Sequence, residues 1–171
     1  MLRKYKLIEF LSVAVALSGL TASHAVGATP SATVSSGSTL AEQFAQNSGA
    51  NDYFQQGLTS YQQGDLPKAE VAFRKAVEID PTFAEAYANL GSVLANQNKL
   101  AEAIPAFLQA IRLQPNSPAF HYLLGVALYQ NNRLPEAIGP LRKARDLLKS
   151  QGKNQDAESI NQLLKSVGLK E

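Results

Sequence analysis

The chain has no cysteine in its 171 residues. That excludes disulfides, thiolate nucleophiles, cysteine-based zinc sites and cysteine-linked lipid anchors. It has two histidines, His24 and His121, too few for a histidine-rich metal site. Charged residues make up only 18%, so this is not an acidic or basic tail protein. There is no glycine-rich phosphate loop, no helical His-Glu-x-x-His and no Arg-Arg pair of the twin-arginine type. No catalytic, cofactor or metal site is therefore expected, and the chain reads as a non-enzyme. The 45% of hydrophobic residues is enough to build the core of one ordinary domain.

The first residues carry an address rather than a fold. Arg3, Lys4 and Lys6 are followed by an apolar run from Leu11 to Leu20 and then by small residues ending in Ser23-His24-Ala25. A basic start, a short apolar stretch and a small-residue cleavage site form a secretory signal peptide. Residues 1–25 are assigned to it, with cleavage after Ala25 or Ala28. The run is much shorter than the ~20 residues of a membrane span, and Glu9 blocks its extension upstream. The expected location is the periplasm, the thylakoid lumen or the cell exterior, with no integral membrane span after cleavage; the alternative is an anchor formed by an uncleaved signal. Of the 16 Lys and Arg, three lie before Ala25, and of the 14 Asp and Glu, one does, which leaves 13 of each. The basic character of the whole chain thus comes from its export signal, and nucleic acid is not an expected partner.

Residues 26–49 read as a flexible linker, small and polar without apolar period. Thr39 and Glu42 have capping-box spacing, and Leu40 and Phe44 share a face, which marks a short helix over 39–48. From residue 50 the sequence repeats every 34 residues. Gly57, Gly91 and Gly125 keep that spacing, as do Ala69, Ala103 and Ala137; Ala76, Ala110 and Ala144; and Leu66, Leu100 and Leu134. Phe73 and Phe107 are followed by Leu141, and Tyr53 and Tyr87 by His121. Several independent columns with one period identify a tandem helical array.

Each unit reads as two helices, over about 52–63, 83–97 and 118–131, then about 66–79, 100–113 and 135–150. Thr82 with Glu85 forms a capping-box pattern, and Ser117 precedes Pro118 at a first helical position. Pro67 and Pro135 lie early in second helices, whereas Pro105 and Pro140 lie deeper, where proline bends a helix. The turns fall at 63–65, 97–99 and 131–133, rich in Gly and Asn. The glycine column leaves room for the opposing helix, the Ala69 column allows the same approach from the other side, and Phe73, Phe107 and Leu141 fill the wider gap beyond. His121 is expected to pack at the repeat interface. Arg142, Lys143, Arg145 and Lys149 suit a solvated helix end favoured by the dipole. Residues 152–171 form a final helix, with Asn154 as its cap, Ile160, Leu163, Leu164 and Val167 on its buried face, and Gly168 as a stop. It covers the open end that a stack of repeats leaves.

These features resemble the tetratricopeptide repeat family. The middle unit carries Tyr87-x-x-Leu90-Gly91-x-x-Leu94, Ala103-x-x-x-Phe107 and Pro115. The first keeps Tyr53, Gly57, Ala69, Phe73 and Pro81, with Gln56 and Ser60 at two normally apolar places. The third keeps Leu124, Gly125, Leu128 and Ala137 but has Lys149 where the closing proline belongs. The resemblance implies an all-α right-handed superhelix of three hairpins, over 50–83, 84–117 and 118–151, plus the C-terminal capping helix.

The family's first helices line a concave groove that holds peptide segments. Carried onto this chain, that face holds Asn51, Phe54, Leu58, Tyr61 and Gln62 in the first unit. It holds Glu85, Ala88, Asn89, Ser92 and Asn96 in the second, and Ala119, Tyr122, Leu123, Val126, Tyr129 and Gln130 in the third. Tyrosine brings aromatic area at low entropic cost, and asparagine brings amide donors and acceptors. The peptide-binding set is Phe54, Leu58, Tyr61, Asn89, Ser92, Asn96, Tyr122, Val126, Tyr129 and Gln130. One subgroup clamps a chaperone's C-terminal carboxylate with Lys, Asn and Arg. Only Asn89 matches that clamp; Phe54, Leu58, Ala119 and Leu123 occupy its other places. The expected function is an extracytoplasmic interaction scaffold or assembly factor that binds a segment of another protein. The alternatives are a regulatory subunit of an enzyme and a homo-oligomer in which one chain's linker or last helix fills another's groove.

The export reading predicts that protein isolated from its native compartment begins near Val26 or Thr29 when its N-terminus is sequenced. An intact Met1 in the membrane fraction would instead establish the anchored form.

Overall fold

The computed structural model describes residues 37–166, with side chains from Ser48 onward. The signal peptide, its cleavage site, the linker before residue 37, Val167 and the stop at Gly168 lie outside the described residues. Seven helices and no strand are found among the described residues: α1 Gly37–Gln62, α2 Leu66–Ile79, α3 Ala84–Asn96, α4 Leu100–Leu113, α5 Pro118–Gln130, α6 Leu134–Ser150 and α7 Asn154–Ser166. From α2 onward each helix packs on the next, and α3 also touches α5.

The two kinds of helix in each hairpin bury different amounts of themselves. The second helices are one-sided: α2 buries Ala69, Ala72, Phe73 and Ala76, and α6 buries Ala137, Leu141, Ala144 and Leu148. That is the single apolar stripe of a helix with one face in water. By contrast, α5 buries Leu123, Leu124, Gly125, Val126, Ala127 and Leu128 in succession, and α3 is covered almost as completely. α3 is enclosed by α2, α4 and α5, and α5 by α3, α4 and α6.

The glycine column is explained by the ring column. A Cβ on Gly57 would lie 2.6 Å from the Phe73 ring, and one on Gly91 would lie 2.7 Å from the Phe107 ring. On Gly125 it would lie 2.6 Å from Leu141 Cγ. The large side chain therefore sits directly on the glycine Cα, rather than in a wider gap beyond it as the sequence suggested. Ala69, Ala103 and Ala137 flank this contact with no exposed surface.

Three hairpin turns share one geometry. Gly64, Asn98 and Asn132 adopt φ of 77°, 61° and 60°, the left-handed region that Gly and Asn tolerate. In each, the following N–H returns to a carbonyl five residues back: Asp65 to Ser60, Lys99 to Leu94 and Arg133 to Leu128, at 2.8–2.9 Å. This is the Schellman closure of a helix C-terminus. The α6–α7 turn repeats it, with Gly152 at φ 74° and Lys153 N–H on Leu148 O at 2.9 Å. With Lys149 in place of the closing proline, α6 runs to Ser150 and hands over to α7 through a hairpin-type turn. On α7, Ala157, Ile160 and Leu164 join Leu141, Ala144 and Leu148 in one buried cluster, as a covering helix requires.

Some local expectations are corrected. The linker does not reach residue 49, because α1 is helical from Gly37 and absorbs the separate helix expected over 39–48. Gly49 lies inside it, where a glycine costs about 1 kcal/mol without ending the helix, and it sits near Ile79. Thr82 does not cap α3. Its N–H and hydroxyl both bond Asp80 Oδ1, at 2.8 and 2.6 Å, and Phe83 holds the cap position. Ser117 precedes α5 as expected but makes no side-chain cap bond. Asn154 is the first residue of α7 rather than its cap; the Ala157 N–H goes to the Lys153 carbonyl. Pro105 and Pro140 sit inside continuous helices.

Neighbouring units are also tied on the second-helix side. Glu70 of α2 pairs with Lys99 at 2.8 Å, and Arg74 reaches Glu102 of α4 at 3.1 Å. Hydrogen bonding from Lys99, reinforced by Arg74, holds the Glu70 carboxyl below its ordinary value of 4.5. A carboxyl whose pKa is depressed by folding contributes stability that is fully present above its unfolded value and is lost as pH falls through the folded one. Glu70→Gln should therefore lower the melting temperature at pH 7, and the difference from the unaltered chain should shrink steadily below pH 4.5. A constant difference across that range would remove Glu70 as the titrating tie. Gly91→Leu and Ala103→Glu should each destabilise by about 3 kcal/mol in denaturant titrations, through a clash with the Phe107 ring and an unpaired buried charge. Removing residues 154–171 should lower the melting temperature and cause association by uncovering Leu141, Ala144 and Leu148.

Candidate functional site

The first helices lie side by side, and one hydrogen bond joins them across units: Asn96 Nδ2 of α3 donates to the Tyr61 hydroxyl of α1 at 2.7 Å. Both residues come from the expected binding set, and the structure brings them together. Asn96 is exposed and Tyr61 half-buried. Leu58, Asn89, Tyr129 and Gln130 are likewise half-buried. Asn89 donates its amide to the Glu85 carbonyl one turn earlier in α3, at 2.8 Å, which fixes the side chain and keeps its carbonyl oxygen out of that bond.

Four members of the set have other surroundings. Ser92 and Val126 are buried, at 5% and 2% exposure, and the Ser92 hydroxyl is turned back onto the Ala88 carbonyl at 2.9 Å. They sit under the enclosed side of α3 and α5, so they offer a ligand no surface here. The Phe54 ring packs in tilted contacts on Phe83, at 4.7 Å between centroids, and Phe73, at 5.7 Å; it joins α1 to α2 and to the residue that precedes α3. Tyr122 packs on the cluster formed by α6 and α7, and burial there pushes its phenol pKa up. Two further inner-face residues, Ala88 and Leu123, are also buried. Asn51 and Gln62 are exposed, and Ala119 is half-buried.

Several polar ties escaped the sequence pattern. Gln114 Nε2 donates to Glu85 Oε1 at 2.8 Å within the second unit, and Gln97 Nε2 donates to the Leu66 carbonyl of the first unit at 3.2 Å, which joins adjacent units. Their signal is position: each glutamine directly follows the end of a helix. His121 is half-buried, with Nε2 2.8 Å from the Pro115 carbonyl, which ties α5 to the end of the preceding unit as expected. On α7, Asn161 is buried yet bonded to Arg145 at 3.3 Å and Glu158 at 3.1 Å. Arg145 also pairs with Asp146 at 2.8 Å, so it departs from the solvated run that Arg142, Lys143 and Lys149 form. No group of three or more His, Asp or Glu is placed to hold a metal among the described residues. No helix among them is long and apolar enough to cross a membrane.

Comparison with known proteins places this architecture. Solved structures share it at low identity. The TPR2B domain of yeast Sti1 in its pHsp70 complex superposes with a TM-score of 0.64 at 24% identity, over 67% of this chain and 92% of that one. The Yersinia enterocolitica type III secretion translocator chaperone SycD gives 0.66 at 17% identity, over 78% and 99%. MamA gives 0.59 at 22% identity, over 63% of each chain. At such identities the likeness speaks for the superhelical fold. No curated protein matches the sequence. The family model for the tetratricopeptide repeat matches residues 54–118 and, one repeat later, 88–151, so together with the glycine, alanine and aromatic columns that set the hairpins, the chain belongs to the tetratricopeptide repeat family.

Proposed function

We propose that the protein is an extracytoplasmic binding module, a scaffold or assembly factor that holds a segment of another exported protein against its first helices. The observation that carries this reading is the set of partly exposed Tyr61, Asn89, Asn96, Tyr129 and Gln130 on those helices. They lie outside the buried core, and aromatic and amide side chains are the usual anchors of recognition surfaces. Its fold relatives include a Sti1 domain in complex with pHsp70 and a translocator chaperone, which supports a role in holding polypeptide. The extracytoplasmic part rests on the signal-peptide pattern of residues 1–25. Phe54 and Tyr122 remain in this reading as supports that position the face.

The test separates binding from folding. Proximity labelling from the exported protein identifies the partner. Asn96→Ala with Tyr129→Ala should then leave helical circular dichroism nearly unchanged and weaken capture of that partner at least tenfold, about 1.4 kcal/mol. Tyr122→Ala should instead lower the melting temperature, because it opens the cluster under α7. A double variant that folds and captures the partner as before would move recognition to another face.

A further inference from the structure

The charges of this chain are not distributed evenly over its helices. No Lys or Arg occurs in α1, α3 or α5; from residue 38 onward, all of them lie in second helices, in turns or beyond residue 150. The acidic residues of the first helices are Glu42, Asp52 and Glu85. Glu85, the one of these in the expected groove set, has its carboxylate engaged by Gln114 at 2.8 Å. The ion pairs that link units, Glu70 with Lys99 and Arg74 with Glu102, belong to the second-helix side.

What the first helices present instead is neutral hydrogen-bonding chemistry. The Asn96 amide donates to the Tyr61 hydroxyl, and a phenol that accepts still has its own proton to donate. The Asn96 carbonyl oxygen takes no part in that bond, nor does the Asn89 carbonyl oxygen in the bond its amide makes to Glu85. Tyr129 and Gln130 add another phenol and another amide. Such groups match backbone N–H and C=O groups and side-chain hydroxyls or amides. A ligand carboxylate would lose water here and meet no cation, and an unpaired desolvated charge is strongly unfavourable. A ligand ammonium would find one carboxylate in the groove set, Glu85, which Gln114 holds through a single hydrogen bond; that bond fixes the side chain but leaves its charge and its other acceptor positions in place.

We propose that the segment held by this face is an internal stretch of polypeptide without acidic groups, recognised through its backbone and through Ser, Thr, Asn, Gln or small apolar side chains, and not through a terminal carboxylate or an acidic side chain. This rests on the first-helix face being the binding face. It adds the chemistry of the occupant and the corollary that binding depends little on salt.

The experiment uses the full chain, as purified from its native compartment, against a displayed library of random short peptides with free or amidated C-termini. A synthetic peptide of residues 26–39 of this chain, which contains no Asp, Glu, Lys or Arg, is a further probe. Selected peptides should be depleted of Asp and Glu and bind equally with either C-terminus. Their dissociation constants should change less than about twofold between about 0.05 and 0.5 M salt, since screening acts on charge pairs and leaves neutral contacts alone. Asn96→Ala with Tyr129→Ala should weaken them, and Gln130→Lys should shift selection toward acidic peptides or free carboxylates. Binding of the 26–39 peptide at the same face supports the proposed chemistry and makes a second copy of this chain an occupant. Acidic or carboxylate-dependent peptides that still respond to the double substitution would overturn the neutral chemistry while leaving the binding face in place. Peptides indifferent to the double substitution, or a library that yields none, would overturn the face and the proposal together.

Discussion

A large side chain seated on a glycine Cα holds each hairpin of this array, and most other features follow from it. Phe73 on Gly57, Phe107 on Gly91 and Leu141 on Gly125 bring the paired helices closer than any residue with a Cβ would allow. Glycine inside a helix costs about 1 kcal/mol relative to alanine. Complete burial of an aromatic side chain offsets that cost, since about 25 cal/mol is gained per Å² of apolar surface removed from water. The alanines at 69, 103 and 137 serve the same approach from the other helix, and their lack of any exposed surface leaves no room for a longer side chain. With the interhelical distance fixed, the left-handed residue at 64, 98 and 132 follows as the short closure that returns the chain at that separation.

The close approach also divides labour between the helices. α3, pressed against its partner α4 and against α2 and α5, has only a narrow face left, and so has α5 among α3, α4 and α6. On that face stand tyrosines and amides that the core does not require. The second helices, packed on one side only, carry the ion pairs and the solvated charges. The same column can serve either side of this division: Asn89 is half-buried, whereas Leu123, 34 residues on, is buried. Exposed Val71 and Leu108 on the second helices are single apolar residues of the kind most surfaces carry.

The repeat made the helices legible before any coordinates. α2 and α4 begin and end at the residues that the periodicity marks, because the apolar period, the turn residue and the closing Pro81 and Pro115 agree with one another. What was not legible depends on directions that a one-dimensional pattern lacks. Thr82 and Glu85 have the spacing of a capping box, yet Asp80 is nearer to the Thr82 hydroxyl and takes it. The expected groove set includes Ser92 and Val126 because their repeat positions face inward in the family; in this chain both are buried. Phe54 lies on the same helix face as Leu58 but finds two rings to pack on. Spacing identifies a face, but only the neighbours across it decide whether a residue on that face is surface or joint.

The C-terminal end shows how loss of one repeat residue changes an element without breaking the fold. A proline at position 149 would have ended α6 where α2 and α4 end. With Lys149 there, α6 gains almost a further turn, and the chain leaves it through Gly152 in the closure otherwise used inside hairpins. α7 is thus held as a hairpin partner of α6, with Ala157, Ile160 and Leu164 against Leu141, Ala144 and Leu148. Asn161 lies among these apolar residues, and Arg145 and Glu158 satisfy it. A buried amide that needs both partners favours one docking of α7 over registers that would strand it, because an unsatisfied buried polar group costs about 1–3 kcal/mol. Tyr122 is drawn into the same cluster, so the cover at this end takes one residue from the inner face of the third unit. Tyr61, Asn89, Asn96, Tyr129 and Gln130 lie outside that cluster and keep part of their surface exposed.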